Sequence, residues 1–253
     1  VARLKAPYFT ENPGNPTMKN EDDARAFART TARELSTAGI NMDMAPVMDV
    51  APEDLSGIMA DRVFGSHPDH VARLGKALFE TLQAGGVMAV AKHFPGIGRT
   101  TIDSHLDLPT FRDDLAAMES VDLPPFQTAI DHQVAGIMLS HILYEKIDPQ
   151  WPASLSPVIA RDLLRRKMNY QGVTMTDDLD MGAIVRHFDI RTVIRQVVTA
   201  EIDFALICHK GPRIQEGWDE MVAQTRQNPD LARDSVQRIL DLKQSYLAFS
   251  PVS

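Results

Sequence analysis

Apolar and polar positions along the chain alternate between two spacings. From Glu21 to Ala38, apolar or small residues recur at Ala24, Phe27, Ala28, Thr31, Ala32 and Leu35, the three-to-four spacing of an amphipathic helix. Asn20 can cap its start, acids fill the first turn where the helix dipole favours them, and Gly39 can end it. The run "INMDMAPVMDV" then reads as a strand ending in Asp49. A second helical face, formed by Val71, Leu74, Leu78, Phe79 and Leu82, stops at Gly85 and Gly86, and "VMAVAKH" follows as the next strand. The cycle continues with a helix near 123–133, the strand "AGIMLSH", a helix that Ser156 and Pro157 can start, and the strand "GVTMTDD". A helix near 190–200 precedes the strand "DFALICH", and helical patterns run on to about residue 247.

These strands are near-continuous apolar runs, as expected where helices cover both faces of a parallel sheet. Each stays apolar until its C-terminal end, where Asp49, then Lys92 and His93, then His141, then Asp177 and Asp178, then His209 occur. In a (β/α) barrel those ends share one rim, and the rim carries the active site. A doubly wound open sheet would present ionisable groups in a similar way. The expected class is therefore α/β, with a TIM-type (β/α)8 barrel as the first architecture to test.

Composition narrows the function. The chain has 253 residues, 44% hydrophobic and 24% charged, enough for a sizeable core. Its formal net charge of −8 argues against binding a nucleic-acid backbone, which calls for a basic surplus. No apolar run reaches the roughly 20 residues that span a bilayer, so no membrane partner is expected. One cysteine, Cys208, excludes an internal disulfide framework and suits a reducing compartment.

Most of the ionisable residues have an ordinary reading. His67, His70, His132, His187 and His209 read as hydrogen-bonded surface or loop residues, and Asp178 as a cap for the helix that follows. Asp177, still within the last turn of its strand, fits capping less well. Lys92 is harder to place as structure, because an ammonium near a core is costly without a partner or ligand. Residues 96–107 show no apolar periodicity, and so polar a loop at a strand end points to binding or catalysis.

"KHFPGIG" followed by "DSH", and later "LLRRKMNYQGVTMTDDLDMGA", resemble the glycoside hydrolase family 3 signature, in particular the β-N-acetylhexosaminidases of peptidoglycan recycling. "APVMDV", "DRVFGS", "MLSHILY" and "PASLSP" extend the resemblance over essentially the whole chain, 1–253, as a single catalytic barrel domain. The resemblance implies Asp177 as catalytic nucleophile, His105 as general acid/base and Asp103 as its orienting partner. It implies Arg3, Arg62, Lys92 and His93 as substrate-binding residues, with no metal and no cofactor. The implied reaction is retaining hydrolysis of terminal β-linked N-acetylglucosamine from muropeptide fragments in the cytoplasm. Retention needs a carboxylate to attack the anomeric carbon and a proton donor for the leaving oxygen. Imidazole, with an ordinary pKa near 6.5, can exchange that proton at neutral pH.

Two departures accompany the resemblance. The family loop commonly reads Gly-His-Gly where this chain has Gly96, Ile97 and Gly98. Relatives also carry about three barrel strands before the point matching Val1, so the expected barrel is truncated at its N-terminus and its open edges favour self-association. Rival readings are an inactive or sugar-binding fragment, a family 3 β-glucosidase or phosphorylase, and a metal-dependent hydrolase using His93, His105, His141 and Asp177.

Overall fold

The computed structural model describes residues 4–12, 14–53, 59–100 and 107–247. In chain order its elements are α1 (Glu21–Thr37), β1 (Met42–Asp43), α2 (Pro68–Ala84), β2 (Met88–Phe94), β3 (Thr110–Phe111), α3 (Leu115–Val121), α4 (Leu123–Asp131) and β4 (Gly136–Leu139). They continue as β5 (Leu143–Tyr144), a π-helix (Val158–Lys167), β6 (Val173–Asp178), α5 (Gly182–Val185), α6 (Ile190–Thr199), β7 (Phe204–Leu206), α7 (Pro212–Gln227) and α8 (Pro229–Leu247). The architecture is α/β with parallel strands. The chain forms two compact units, Val1–Thr101 with Asp114–Ile137 and Ile102–Asp113 with Met138–Ser253. No helix among the described residues is long and apolar enough to cross a membrane.

In the first unit, Asn20 caps α1 as its sequence suggests, its side-chain oxygen accepting the N–H groups of Asp22 and Asp23 at 3.0 Å each. The buried face of α1 is small (Ala24, Ala28, Ala32, Leu35), whereas α2 contributes larger groups including Leu74, Leu78, Phe79 and Leu82. Strand β2 is buried along its length except at Lys92. Its parallel partner is much shorter than the sequence suggests: β1 pairs Met42 with Met88 and Asp43 with Ala89, and contact resumes only at a Val47–Lys92 bridge. Pro46 lies between, joined to Ala45 by a cis bond, and has no N–H to offer a ladder. The carbonyls of Ala45 and Pro46 still accept from Val90 and Lys92, at 2.9 and 3.1 Å.

In the second unit, β6 and β7 pair in parallel, with Met175 opposite Phe204 and Asp178 opposite Leu206. Three steps along β6 thus match two along β7, and the bulge is bridged by the Leu206 N–H donating to the Thr176 hydroxyl at 3.0 Å. The strand is further anchored by a buried charge cluster. Arg165 donates to Asp203 (2.7 Å), the Thr174 hydroxyl (2.8 Å) and the carbonyls of Gly172 and Glu201 (3.0 Å each), while Arg238 holds the other oxygen of Asp203. No buried side-chain nitrogen or oxygen among the described residues lacks a hydrogen-bond partner, the condition under which buried charge is tolerated. The helix expected from Ser156 and Pro157 is present with π geometry; the Ser156 hydroxyl accepts the Ile159 N–H at 3.1 Å and donates to Asp148.

Candidate active site

The end of β2 builds a polar cluster inside the first unit. The Asp49 side chain is fully buried and that of His93 is 4% exposed. His93 Nδ1 lies 2.7 Å from Asp49 Oδ2, and Asp49 also accepts the Ile97 N–H at 2.9 Å and the His93 N–H at 3.3 Å. A carboxylate offers only acceptors, so the proton is assigned to Nδ1. On the other side of the ring, Arg62 donates from Nη2 to Nε2 at 3.3 Å. A guanidinium has no acceptor, so both neighbours require the same neutral tautomer. The Lys92–His93 peptide bond is cis. Half-buried Lys92 precedes His93 on the same strand. Burial raises the Asp43 carboxyl above its ordinary value, and the positive charge of Lys92 partly offsets this.

The loop leaving β2 is packed close to its surroundings. At Gly98 an added Cβ would stand 2.2 Å from the Val50 carbonyl oxygen, so only glycine fits. Gly96 adopts φ +127°, and an added Cβ would lie 2.8 Å from that of Asp122. Asp122 is itself buried and takes Arg99 in a two-pronged ion pair, through Nε at 3.2 Å and through Nη2. Ile97 is buried, and its backbone N–H donates to Asp49.

The end of β6, in the second unit, is more open. Asp177 is half-buried, and its Oδ1 accepts the Asp178 N–H at 2.8 Å. Asp178 does not cap a helix, contrary to its sequence reading. Its Oδ1 accepts the N–H groups of Asp180 (3.0 Å) and Cys208 (3.1 Å), tying two loops together, while α5 begins later behind Met181. His141 braces the same end: Nε2 donates to the Asp178 carbonyl at 2.9 Å and Nδ1 accepts from Ser154 at 2.7 Å. Desolvation, reinforced by Asp178, pushes the Cys208 thiol up to about 11, which keeps it protonated at neutral pH.

Asp178, Asp180 and His209 are the group among the described residues whose donor atoms, all within 4.8 Å of one another, could hold a cation. Those atoms are already engaged: Arg213 donates to Asp180 at 3.0 Å, and His209 is a largely exposed ring beside both acids. The alternative metal set fares no better, since His93 and His141 each have both ring nitrogens bonded to protein.

Among the residues singled out from sequence, Arg62 and His93 are brought together, with Lys92 beside them, in the first unit. Asp177 lies in the second. Arg3, Asp103 and His105 lie outside the described residues. Residues 3–242 match the glycosyl hydrolase family 3 N-terminal domain. The chain belongs to glycosyl hydrolase family 3.

Relatives of this family 3 chain include proteins named beta-hexosaminidase. That of Nitrosomonas eutropha is 36% identical over 186 residues, 74% of this chain and 53% of the relative. That of Neisseria meningitidis is 33% identical over 213 residues, 84% and 58% of the two chains. Among solved structures, a glycoside hydrolase family 3 beta-N-acetylglucosaminidase from a Paenibacillus species aligns with a TM-score of 0.93 at 32% identity, covering 100% of this chain and 49% of that one. The chain thus spans little more than half the length of the curated relatives it matches.

Sequence reasoning left Asp49 and Asp122 without roles and gave His141 one only as a metal ligand in a rival reading. The signal for Asp49 was present, since an acid interrupts an otherwise apolar run in "APVMDV". Its partner, 44 residues away, was not visible.

Proposed function

We propose that this chain carries the catalytic machinery of a retaining β-N-acetylhexosaminidase, acting on terminal β-linked N-acetylglucosamine of peptidoglycan fragments in the cytoplasm, with its strands part of a (β/α)8-type barrel. Asp177 attacks the anomeric carbon while His105, oriented by Asp103, protonates the departing oxygen; the same histidine then removes a proton from the water that releases the sugar. Arg3, Arg62, Lys92 and His93 form the sugar-holding group. The observation that carries this assignment is the similarity to beta-hexosaminidases across 74–84% of the chain, with "MTDD" and "DSH" in place within it. The half-buried carboxylate of Asp177, oriented by the next N–H, has the accessibility a nucleophile needs.

The test is hydrolysis of 4-nitrophenyl N-acetyl-β-glucosaminide beside the β-glucoside, followed by trapping with a fluorinated glycoside and mass spectrometry of the peptide containing Asp177. Preferential cleavage of the acetamido sugar and a label on Asp177 are expected. Asp177→Ala should lower kcat about 10⁴-fold, the scale on which loss of a member of a catalytic set acts. A label elsewhere, or retained turnover in that variant, would overturn the nucleophile.

A further inference from the structure

We propose that Trp151 and Phe188 form a platform for the sugar ring on the leaving-group side of the scissile bond, so that oligosaccharides are selected over simple glycosides. The inference rests on the hexosaminidase reading above and adds a binding surface which that reading does not contain. The two rings lie with centroids 5.4 Å apart and planes 34° from one another, and both residues remain half-buried. Aromatic faces carry partial negative charge and suit the C–H groups on the apolar side of a sugar ring. Trp151 is held in place by its own loop. The buried carboxylate of Asp148 accepts the Trp151 N–H at 3.3 Å and the Gln150 N–H at 3.0 Å through one oxygen, while its other oxygen accepts from the Ser156 hydroxyl. A ring fixed in advance loses little freedom when a ligand arrives.

Two sets of contacts put this platform beside the reacting groups. Toward the nucleophile, the loop bearing Trp151 runs back along the end of β4, where the N–H groups of Ala153 and Ser154 donate to the carbonyls of Ile142 and Ser140 at 2.9 Å each. The Ser154 hydroxyl then meets His141, whose other nitrogen donates to the carbonyl of Asp178, the neighbour of Asp177. A single imidazole thus separates this loop from the end of β6. Toward the proton donor, the His187 and Phe188 rings have centroids 6.2 Å apart, and His187 Nε2 lies 2.6 Å from Asp107 Oδ1. Asp107 follows His105 by two residues. In a retaining glycosidase the acid sits beside the departing oxygen, so the leaving sugar belongs on the side where Asp107, His187 and Phe188 meet. All of these residues belong to the second unit.

The chain has two tryptophans, and Trp218 is 64% exposed on α7, so Trp218→Phe in the full chain leaves Trp151 as the sole indole reporter. Its emission should change on saturation with the thio-linked disaccharide of N-acetylglucosamine, which resists hydrolysis, and stay constant with methyl N-acetyl-β-glucosaminide, which ends at the scissile oxygen. Unchanged emission with the disaccharide, or no binding of it, overturns the platform. In turnover, Trp151→Ala should lower kcat/KM for N,N′-diacetylchitobiose about tenfold, the scale of one lost aromatic contact, and that for the methyl glycoside by no more than about twofold. Trp151→Phe keeps a ring and should recover most of the loss. Equal losses on the two substrates would give Trp151 a purely structural part and refute the proposal. If neither substrate is hydrolysed, the proposed activity fails while the fluorescence titration still decides the platform.

Discussion

Two histidine–aspartate pairs in this molecule have nearly the same length and opposite surroundings. His93 and Asp49 meet at 2.7 Å in the first unit with side chains 4% and 0% exposed; His187 and Asp107 meet at 2.6 Å in the second with 40% and 59% exposed. Contact length therefore says little about what either pair does. What separates them is the number of donors committed to the carboxylate and the water left around it. Asp49 binds two backbone N–H groups besides the imidazole and dictates a tautomer. Asp107 has one backbone N–H, from Leu108 at 2.8 Å, and water can replace its histidine.

The largest effect that sharpens this contrast is on stability. Asp49→Ala strands an imidazole N–H and two backbone N–H groups inside the fold. Each buried donor left unpaired costs about 1–3 kcal/mol, so the loss should total about 3 kcal/mol or more in denaturant unfolding. Asp107→Ala, measured in parallel, should shift the midpoint only slightly, as expected for an exposed pair. Equal losses from the two substitutions would show that burial does not distinguish the pairs.

A smaller loss is expected from Asp122→Ala. The carboxylate is fully buried, but Arg99 is 25% exposed and can recover part of its hydration once its partner is gone. Removing one member of a buried pair costs about 3–5 kcal/mol; here the lower end should apply, read from the same unfolding curves. Since an added Cβ at Gly96 would meet the Cβ of Asp122, which alanine keeps, Asp122→Ala should leave Gly96→Ala nearly as harmful as it is in the native chain. Full rescue would show that the Asp122 carboxylate, not its Cβ, sets the close approach.

These cases mark how far the sequence could be read. Features set within one or two turns were legible: the Asn20 cap, the apolar face of α2, the buried run of β2, and polar residues gathering at strand ends. Features set by distant partners were not. The Pro46 interruption of the first strand was readable in principle, because a missing N–H is local, yet the long apolar run around it hid the break. The role of Asp178 was misread because an acid before a helix favours capping, whereas an N–H group 30 residues on, at Cys208, competes for it. No one-dimensional pattern reveals that both nitrogens of His93 are occupied, since Arg62 and Asp49 come from segments 31 and 44 residues away.

The smallest effect concerns the exposed pair and is read most directly as a titration. The Asp107 carboxyl is held below its ordinary value, first by the hydrogen bond from His187, then by the Leu108 N–H, with the charges of His187 and Arg186 adding to it. For a carboxyl depressed in the folded state, the stabilisation is present above the ordinary carboxylate range and is lost as pH falls through the lowered value. His187→Ala removes the first cause and leaves the second, so Asp107 should titrate at higher pH than in the native chain while remaining somewhat below an unperturbed aspartate. Carbonyl ¹³C NMR of the Asp107 side chain reads this directly, and the variant should lose a small amount of stability at neutral pH, a difference that vanishes as pH falls below the lowered value. An unmoved titration would mean that Leu108, not His187, governs the exposed carboxylate, and the two histidine–aspartate pairs would then differ in kind and not only in burial.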